Sequence, residues 1–214
     1  MASARTTLLA LAMGAATLTA ASPSQTTLES RVHASDSLDT YYGRIVQDAF
    51  KQSKDSDVLL IDKAGRKAYL LHDAQADTTY RIALGPDPIG DKVYVGDGRT
   101  PEGIYHVTWK RDGTPGNTST FGLAFLLDYP LPTDRKEFTR AKAAGLTPEG
   151  VTGPGGHIEV HSGPDRRDWT LGCISIKEEG MQHLMRHLEN KSMVAIVGYV
   201  PETQDYHVEL RTTR

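Results

Sequence analysis

His161 and Cys173 are the two residues whose types and spacing most readily support a chemical reaction, and they lie twelve positions apart. The polar, turn-rich segment Ser162–Asp168 provides enough chain to leave one strand, turn and return beside it. An imidazole close to a thiol can hold it as the thiolate, which is the nucleophilic form. The pair therefore predicts nucleophilic catalysis by Cys173 with His161 as its base. The alternative is an inert buried cysteine, because free cysteine is among the most buried residue types.

The residues around the cysteine carry two further features that would assist such chemistry. Gly172 permits close backbone approach and φ angles forbidden to other residues. We expect the N–H groups of Gly172 and Cys173 to be free to face a developing oxyanion. The spacing Ser175-x-x-Glu178 resembles a capping box ahead of a helix, and the dipole of that helix would favour the thiolate of Cys173.

Alternating and apolar runs from residue 57 onward predict the elements that must position this pair. The predicted strands cover residues 58–61, 67–71, 79–84, 104–109, 121–127, 157–161 and 193–197. Helical spacing predicts a packed helix through Met181, Leu184, Met185 and Leu188, and a short second helix over Asp134–Ala144. We therefore expect a β-rich α+β fold, a curved β-sandwich or partly closed barrel with one packed helix.

The N-terminal segment predicts export. In residues 1–21, Arg5 is followed by the apolar run Leu8–Ala16 and then by small residues, as in a secretory signal peptide. This run is too short to span a bilayer, which needs about 20 residues. We expect a mature protein without a membrane span, in a periplasm or outside the cell. The other expected divisions are a polar lead-in and helical extension over 22–56, a catalytic domain over 57–198 with residues 128–156 as a candidate lid insertion, and a tail over 199–214.

Composition argues against several classes of partner and site. Acidic residues outnumber basic ones, 27 to 24, so no basic excess exists for binding a nucleic-acid backbone. One cysteine excludes an intrachain disulfide. No His-Glu-x-x-His or comparable ligand spacing occurs among the histidines and acids. We accordingly expect no metal, no cofactor and no nucleic-acid partner.

Four sequence elements occur together in an order typical of one family. They are the hairpin and third strand at 58–71 and 80–85, the segment Gly98-Arg99-Thr100-Pro101-Glu102-Gly103-Ile104-Tyr105, the paired segments Ile158-Glu159-Val160-His161-Ser162-Gly163 and Thr170-Leu171-Gly172-Cys173-Ile174, and the strand in Lys191–Val197. This arrangement resembles the L,D-transpeptidase catalytic domain of the YkuD type, over about residues 57–198.

The resemblance implies roles for individual residues. Cys173 would be the acylated nucleophile and His161 its base. Ser162 would orient the imidazole through its backbone carbonyl. Leu171, Gly172 and Cys173 would border the oxyanion hole.

The sequence departs from the usual family pattern at two positions. Leu171 stands where the family usually has histidine, and Ser175 stands where it usually has arginine. The missing arginine could have supported substrate carboxylates, and variants without it resemble a branch that includes peptidoglycan hydrolases. The residues expected to contact the substrate, including two arginines that would compensate, are His157, Arg166, Arg167, Trp169 and Thr170.

The function implied by the resemblance is cysteine acyl transfer on peptidoglycan stem peptides. A thioester at Cys173 would pass to an amine of another stem peptide, of a wall-anchored protein or of a D-amino acid. With water as acceptor, the same site would be an L,D-carboxypeptidase or an amide hydrolase, and the sequence leaves this choice open. A different class of function, a non-catalytic wall-binding module, would have no need of the intact Cys/His pair.

Overall fold

The computed structural model describes residues 48–49, 51, 57–72, 75–117 and 119–198. The expected signal peptide at 1–21 and tail at 199–214 lie outside these residues, as does nearly all of the lead-in at 22–56. Within the described ranges, no helix is both long and apolar enough to cross a membrane.

Eight strands in the described part of the chain form a closed barrel, which confirms the expected β-rich α+β class. The strands are β1 Asp57–Asp62, β2 Lys67–His72, β3 Gln75–Ala83, β4 Gly103–Arg111, β5 Ala124–Leu127, β6 Glu159–Ser162, β7 Ile174–Ile176 and β8 Met193–Val197. Their order around the barrel is β1-β2-β3-β7-β6-β5-β4-β8, and β8 returns to pair in parallel with β1.

The opening strand is apolar at every position from 58 to 61 because both of its faces are buried. Leu59 and Ile61 belong to the larger core cluster, which also receives apolar residues of β5, β6 and β7. Val58 and Leu60 point to the opposite face and join a second cluster with residues of β2 and β8. Successive side chains of a strand alternate between faces, so a strand buried on both faces shows a continuous apolar run.

Three strands differ from the sequence-based prediction near the candidate site. β5 begins at Ala124 instead of residue 121, because Gly122 has a φ of 87° and interrupts the extended backbone. β6 begins at Glu159 instead of residue 157, because His157 has a φ of 55°. β7 was not predicted, since its three residues are too few to show a pattern.

Two helices are described, α1 Pro132–Ala143 and α2 Glu178–Leu184. α1 matches the predicted short helix and begins two residues earlier, where Pro132 suits the first turn. The predicted capping box at Ser175 is wrong, because Ser175 lies inside β7 and the residue that precedes α2 is Lys177. The helix dipole therefore starts beyond β7 and does not act directly on Cys173.

The insertion at 128–156 contains α1, and hydrogen bonds join its two ends to each other and its C-terminal end to the loop between β3 and β4. The Tyr129 hydroxyl donates to the Pro154 carbonyl at 3.0 Å, and the Val95 N–H donates to the Gly153 carbonyl at 3.0 Å. The segment thus runs into β6 from a fixed position. Its role as a lid stays a prediction.

A buried ammonium organises the loop between β3 and β4. The Lys63 side chain is fully buried, and its Nζ donates to the carbonyls of Gly90 and Thr100, both at 2.7 Å, and to Glu102 Oε1 at 2.9 Å. Burial lowers the pKa of Lys63, and the Glu102 carboxylate opposes that shift. The single side chain therefore fixes three points of a loop that packs behind the candidate site.

We predict that Lys63→Met lowers the free energy of unfolding by about 3–5 kcal/mol, because it leaves the Glu102 carboxylate buried without its cation. Urea denaturation measures the change. Lys67→Met, at an exposed position in the next strand, is the matched control and should stay within about 0.5 kcal/mol of the parent. Equal stability of the two variants would contradict the assigned role of Lys63.

Candidate active site

Parallel pairing of β6 with β7 brings the two predicted site residues onto neighbouring strands. In this register His161 lies opposite Ser175, and Cys173 immediately precedes β7 beside the beginning of β6. The Glu159 N–H points at the Cys173 sulfur, with a nitrogen–sulfur distance of 3.4 Å. Cys173 thus lies beside Glu159, two residues before His161 on the neighbouring strand.

The His161 imidazole is held in one tautomer. Its Nδ1 lies 2.9 Å from the Ser162 carbonyl oxygen. A carbonyl can only accept, so Nδ1 carries the proton and Nε2 carries the lone pair. Nε2 is buried and has no hydrogen-bond partner among the described residues. Burial lowers the pKa of His161, and the Ser162 carbonyl opposes that shift. The ring is therefore a neutral base whose basic nitrogen, Nε2, accepts no hydrogen bond from the described residues.

Two aromatic side chains enclose the imidazole. The Phe121 ring stacks on His161 with centroids 4.2 Å apart and an interplanar angle of 19°. The Trp169 ring approaches edge-on, with centroids 5.8 Å apart. Trp169 was predicted as a substrate contact, whereas Phe121 was predicted only as part of a strand. The one sequence signal for its role is the following Gly122, a residue type that permits the positive φ of the turn on which Phe121 lies.

The Cys173 thiol is neutral in this environment. Burial raises its pKa, while the Glu159 N–H and the more distant Lys92 ammonium act in the opposite direction. The thiol also donates weakly to the His157 carbonyl, 3.6 Å from the sulfur. A thiolate is therefore not the resting form, and it has to be made by transfer of the thiol proton to a base.

The turn from Thr170 to Cys173 is closed by a side chain. The Thr170 hydroxyl donates to the Cys173 carbonyl at 2.7 Å and accepts the Gly172 N–H at 3.3 Å. Thr170 is buried, and its two hydrogen bonds hold the ends of the turn together. Leu171 is 86 % exposed. The expectation that the Gly172 N–H is free is therefore wrong, because Thr170 occupies it.

Gly172 meets the backbone requirement expected of it. Its φ is 127°, and a Cβ at this position would lie 2.6 Å from the Arg99 carbonyl oxygen. That carbonyl belongs to the loop that Lys63 organises. The turn that carries Cys173 is thus packed directly against this loop.

The segment before the turn is anchored at the end of β3. The Leu84 carbonyl accepts the N–H groups of Trp169 and Thr170, at 2.9 and 3.1 Å. The Leu84 N–H donates to Asp168 Oδ1 at 2.9 Å. Asp168 in turn makes a two-pronged ion pair with Arg66, at 3.1 and 2.6 Å. These bonds fix where the chain turns back toward β7.

The other predicted substrate contacts lie around this centre. Arg166 and Arg167 are exposed on the connection between β6 and β7, and His157 is exposed at the entry to β6. Ser175 is fully buried, and its hydroxyl has no hydrogen-bond partner in the described ranges. Across those same ranges, no three His, Cys, Asp or Glu side chains are grouped so that they could hold a metal ion.

We predict that Gly172→Ala displaces the turn, because the added Cβ would overlap the Arg99 carbonyl and the φ of 127° disfavours any side chain. The rate of Cys173 alkylation by iodoacetamide should change by at least about 10-fold at pH 7. Gly150→Ala is the matched control, since its φ is also positive and nothing lies within 4 Å of its Cβ position. Equal alkylation of both variants would show that the close contact does not hold the turn.

Comparison with known proteins agrees with this geometry. The sequence profile of the L,D-transpeptidase catalytic domain (YkuD) matches residues 56–196. No curated protein matches the chain. Solved structures with a similar fold include the helical cell shape determining protein Pgp2 from Campylobacter jejuni, with 22 % identity over 74 % of this chain and 56 % of that one and a TM-score of 0.49.

Two further solved structures share the fold. Bd1075 from Bdellovibrio bacteriovorus is 23 % identical over 69 % of this chain and 49 % of its own, with a TM-score of 0.47. An L,D-transpeptidase from Xylanimonas cellulosilytica is 16 % identical over 71 % and 68 %, with a TM-score of 0.43. The chain spans about half the length of Pgp2 and Bd1075. Because the family profile covers well over half of the chain and includes β6, β7 and the turn between them, the chain belongs to the L,D-transpeptidase catalytic domain family.

Proposed function

We propose that this protein is a cysteine acyltransferase that acts on peptidoglycan stem peptides, with Cys173 as nucleophile and His161 as base. Membership of the family supports this enzyme class and this class of substrate. The observation that carries the assignment is the His161 ring, whose Nδ1 is engaged by the Ser162 carbonyl while the basic Nε2 has no partner in the described ranges. A general base requires a lone pair that is not already engaged, and Nε2 meets this requirement.

The first half of the proposed reaction forms a thioester. The Cys173 thiol gives its proton to His161 Nε2 as the sulfur attacks the carbonyl that follows the L-centre of diaminopimelate. We assign the Cys173 N–H as a donor to the resulting oxyanion, because the Gly172 N–H is already bonded to Thr170. The imidazolium then returns the proton to the nitrogen of the departing D-alanine, and the carbon–nitrogen bond breaks.

The second half releases the acyl group. An amine attacks the thioester and His161 Nε2 takes the amine proton. The carbon–sulfur bond then breaks as the imidazolium returns that proton to the departing Cys173 sulfur. The amine would come from a second stem peptide, a wall-anchored protein or a D-amino acid. Water in the same position would give an L,D-carboxypeptidase or an amide hydrolase, which is the second candidate function. A non-catalytic wall-binding module is the third.

The residues around the centre are proposed to bind the stem peptide. Trp169 is 38 % exposed beside the imidazole, and the exposed His157, Arg166 and Arg167 are within the segments that enter and leave β6. The buried Thr170 holds the turn. The insertion at 128–156 stays a proposed lid, which would favour an amine over water by excluding solvent from the thioester.

The site of action and the domain limits are also proposals. A cell-wall substrate fits a location in the cell envelope, and the signal-like residues 1–21 fit export. The family match at 56–196 agrees closely with the proposed catalytic unit at 57–198.

We predict that Cys173→Ser abolishes turnover, because a serine hydroxyl is not ionised by a neutral imidazole to the extent that a thiol is. Mass spectrometry of defined muropeptides after incubation distinguishes cross-linked dimers, shortened stems and cleaved cross-links in one experiment. A carbapenem adduct on the parent protein and its absence in Cys173→Ser would separate an enzyme from a binding module. Activity of Cys173→Ser above a few per cent of the parent would contradict the proposed mechanism.

We predict an acid limb in the pH dependence of kcat/KM that lies below pH 6.5. His161 accepts the thiol proton only when neutral, and burial lowers its pKa from the ordinary value of 6.5, so the base is already available at pH 6.5 and is lost only at lower pH. His161→Gln should remove the limb and lower the rate by about 10²–10⁴-fold. A limb above pH 6.5 in the parent would contradict the neutral, buried base.

A further inference from the structure

His161 is much more buried than the residues that cover it. The imidazole is 1 % exposed, yet Phe121 is 41 % exposed and Trp169 is 38 % exposed. An aromatic residue of the core buries both faces of its ring. Phe121 instead gives one face to His161 and presents much of the rest to solvent. Its ring lies face to face with the proposed base and edge to face with Trp169, whose ring centroid is 5.8 Å away.

The backbone that carries Phe121 is fixed by a tight turn. Ser119 and Gly122 exchange two backbone hydrogen bonds, each of 3.1 Å. The Phe121 N–H donates to the Ser119 hydroxyl at 3.2 Å. That hydroxyl donates to Glu159 Oε2 at 3.0 Å, and Glu159 is two residues before His161 on β6. The turn that holds the ring is thus attached to the same strand as the imidazole.

The stack supplies a constraint that the hydrogen bond does not. The bond from Nδ1 to the Ser162 carbonyl fixes one ring atom and the tautomer, but the ring plane can still tilt about that bond. A nearly parallel neighbour at 4.2 Å removes this freedom, since tilting would drive one edge of the imidazole into Phe121. Trp169 blocks the ring edge from another direction.

We propose that Phe121 is a positioning residue for His161: its ring sets the plane of the imidazole, and hence the direction of Nε2, and keeps water off the base. This inference rests on the proposed function for its catalytic consequence. Its structural part, control of the imidazole by Phe121, holds whatever the substrate is. The exposed outer face of Phe121 could instead contact the substrate. Substitution of Phe121 would affect kcat and KM differently in these two roles.

The direct test is an NMR titration of the His161 imidazole in three variants, without substrate. In Phe121→Ala water reaches the ring, so the midpoint should move upward toward the ordinary value of histidine. Phe121→Leu keeps apolar volume without a flat face and should give an intermediate midpoint, and Phe121→Tyr should restore the parent value. Ile89→Ala, which removes another exposed apolar side chain, is the control. An unchanged or lowered midpoint in Phe121→Ala would overturn the proposal.

Kinetics separate positioning from substrate contact. If Phe121 positions the base, kcat of Phe121→Ala falls by about 10- to 100-fold with little change in KM, and Phe121→Tyr recovers it. A rise in KM with kcat unchanged would overturn the positioning role and leave Phe121 as a substrate wall. Failure of the proposed function would give a different result. Cys173→Ser would then be active, whereas the His161 titration midpoint would still shift in Phe121→Ala.

Discussion

The parallel pairing of β6 with β7 is the constraint on which the rest of the site depends. Parallel neighbours normally need a connection of about a dozen residues or more, and here residues 163–173 make the whole crossing. β7 also pairs with β3 on its other side, so the connection has to leave β6, reach the end of β3 and return between the two. Leu84 marks that point, where three hydrogen bonds and the Arg66–Asp168 ion pair hold the chain. Gly172, with a φ of 127°, lies at the end of this short path.

The same geometry determines how the proton must move. Burial shifts the pKa of His161 downward and that of Cys173 upward, and both shifts favour the neutral pair over thiolate and imidazolium. In the proposed reaction, charge would therefore develop only as the sulfur attacks a carbonyl. A neutral thiol is also less readily oxidised than a thiolate. For a protein proposed to work in an oxidising compartment, a nucleophile that stays protonated until substrate arrives is protected at rest.

The sequence predicted what depends on periodicity and local motifs. Seven of the eight described strands and α1 follow from alternation and helical spacing. The joint action of His161 and Cys173, which the resemblance of the flanking segments to one family implies, stays a prediction. What it did not predict depends on contacts between distant segments. Ser175 carries a capping signature, yet β3 and β6 recruit it into β7 as a strand residue. Phe121 reaches His161 from a turn that is bonded to β6 across the fold, through Ser119 and Glu159. Thr170 was predicted as a substrate contact, and the sequence did not show that its hydroxyl closes the turn.

Closure of the barrel by β8 has a consequence for how the chain acquires its structure. β8 lies between β1 and β4, all five of its residues are buried, and its pairing joins Val58 to Met193. Until residues 193–197 have been synthesised, β1 and β4 are open edges that expose unpaired backbone groups. Contacts of such long sequence separation are slow to form. The polypeptide therefore cannot close its barrel until β8, the last of the eight described strands, has emerged. Such a delay would suit the export proposed from residues 1–21, in which the chain passes a translocation channel before it folds.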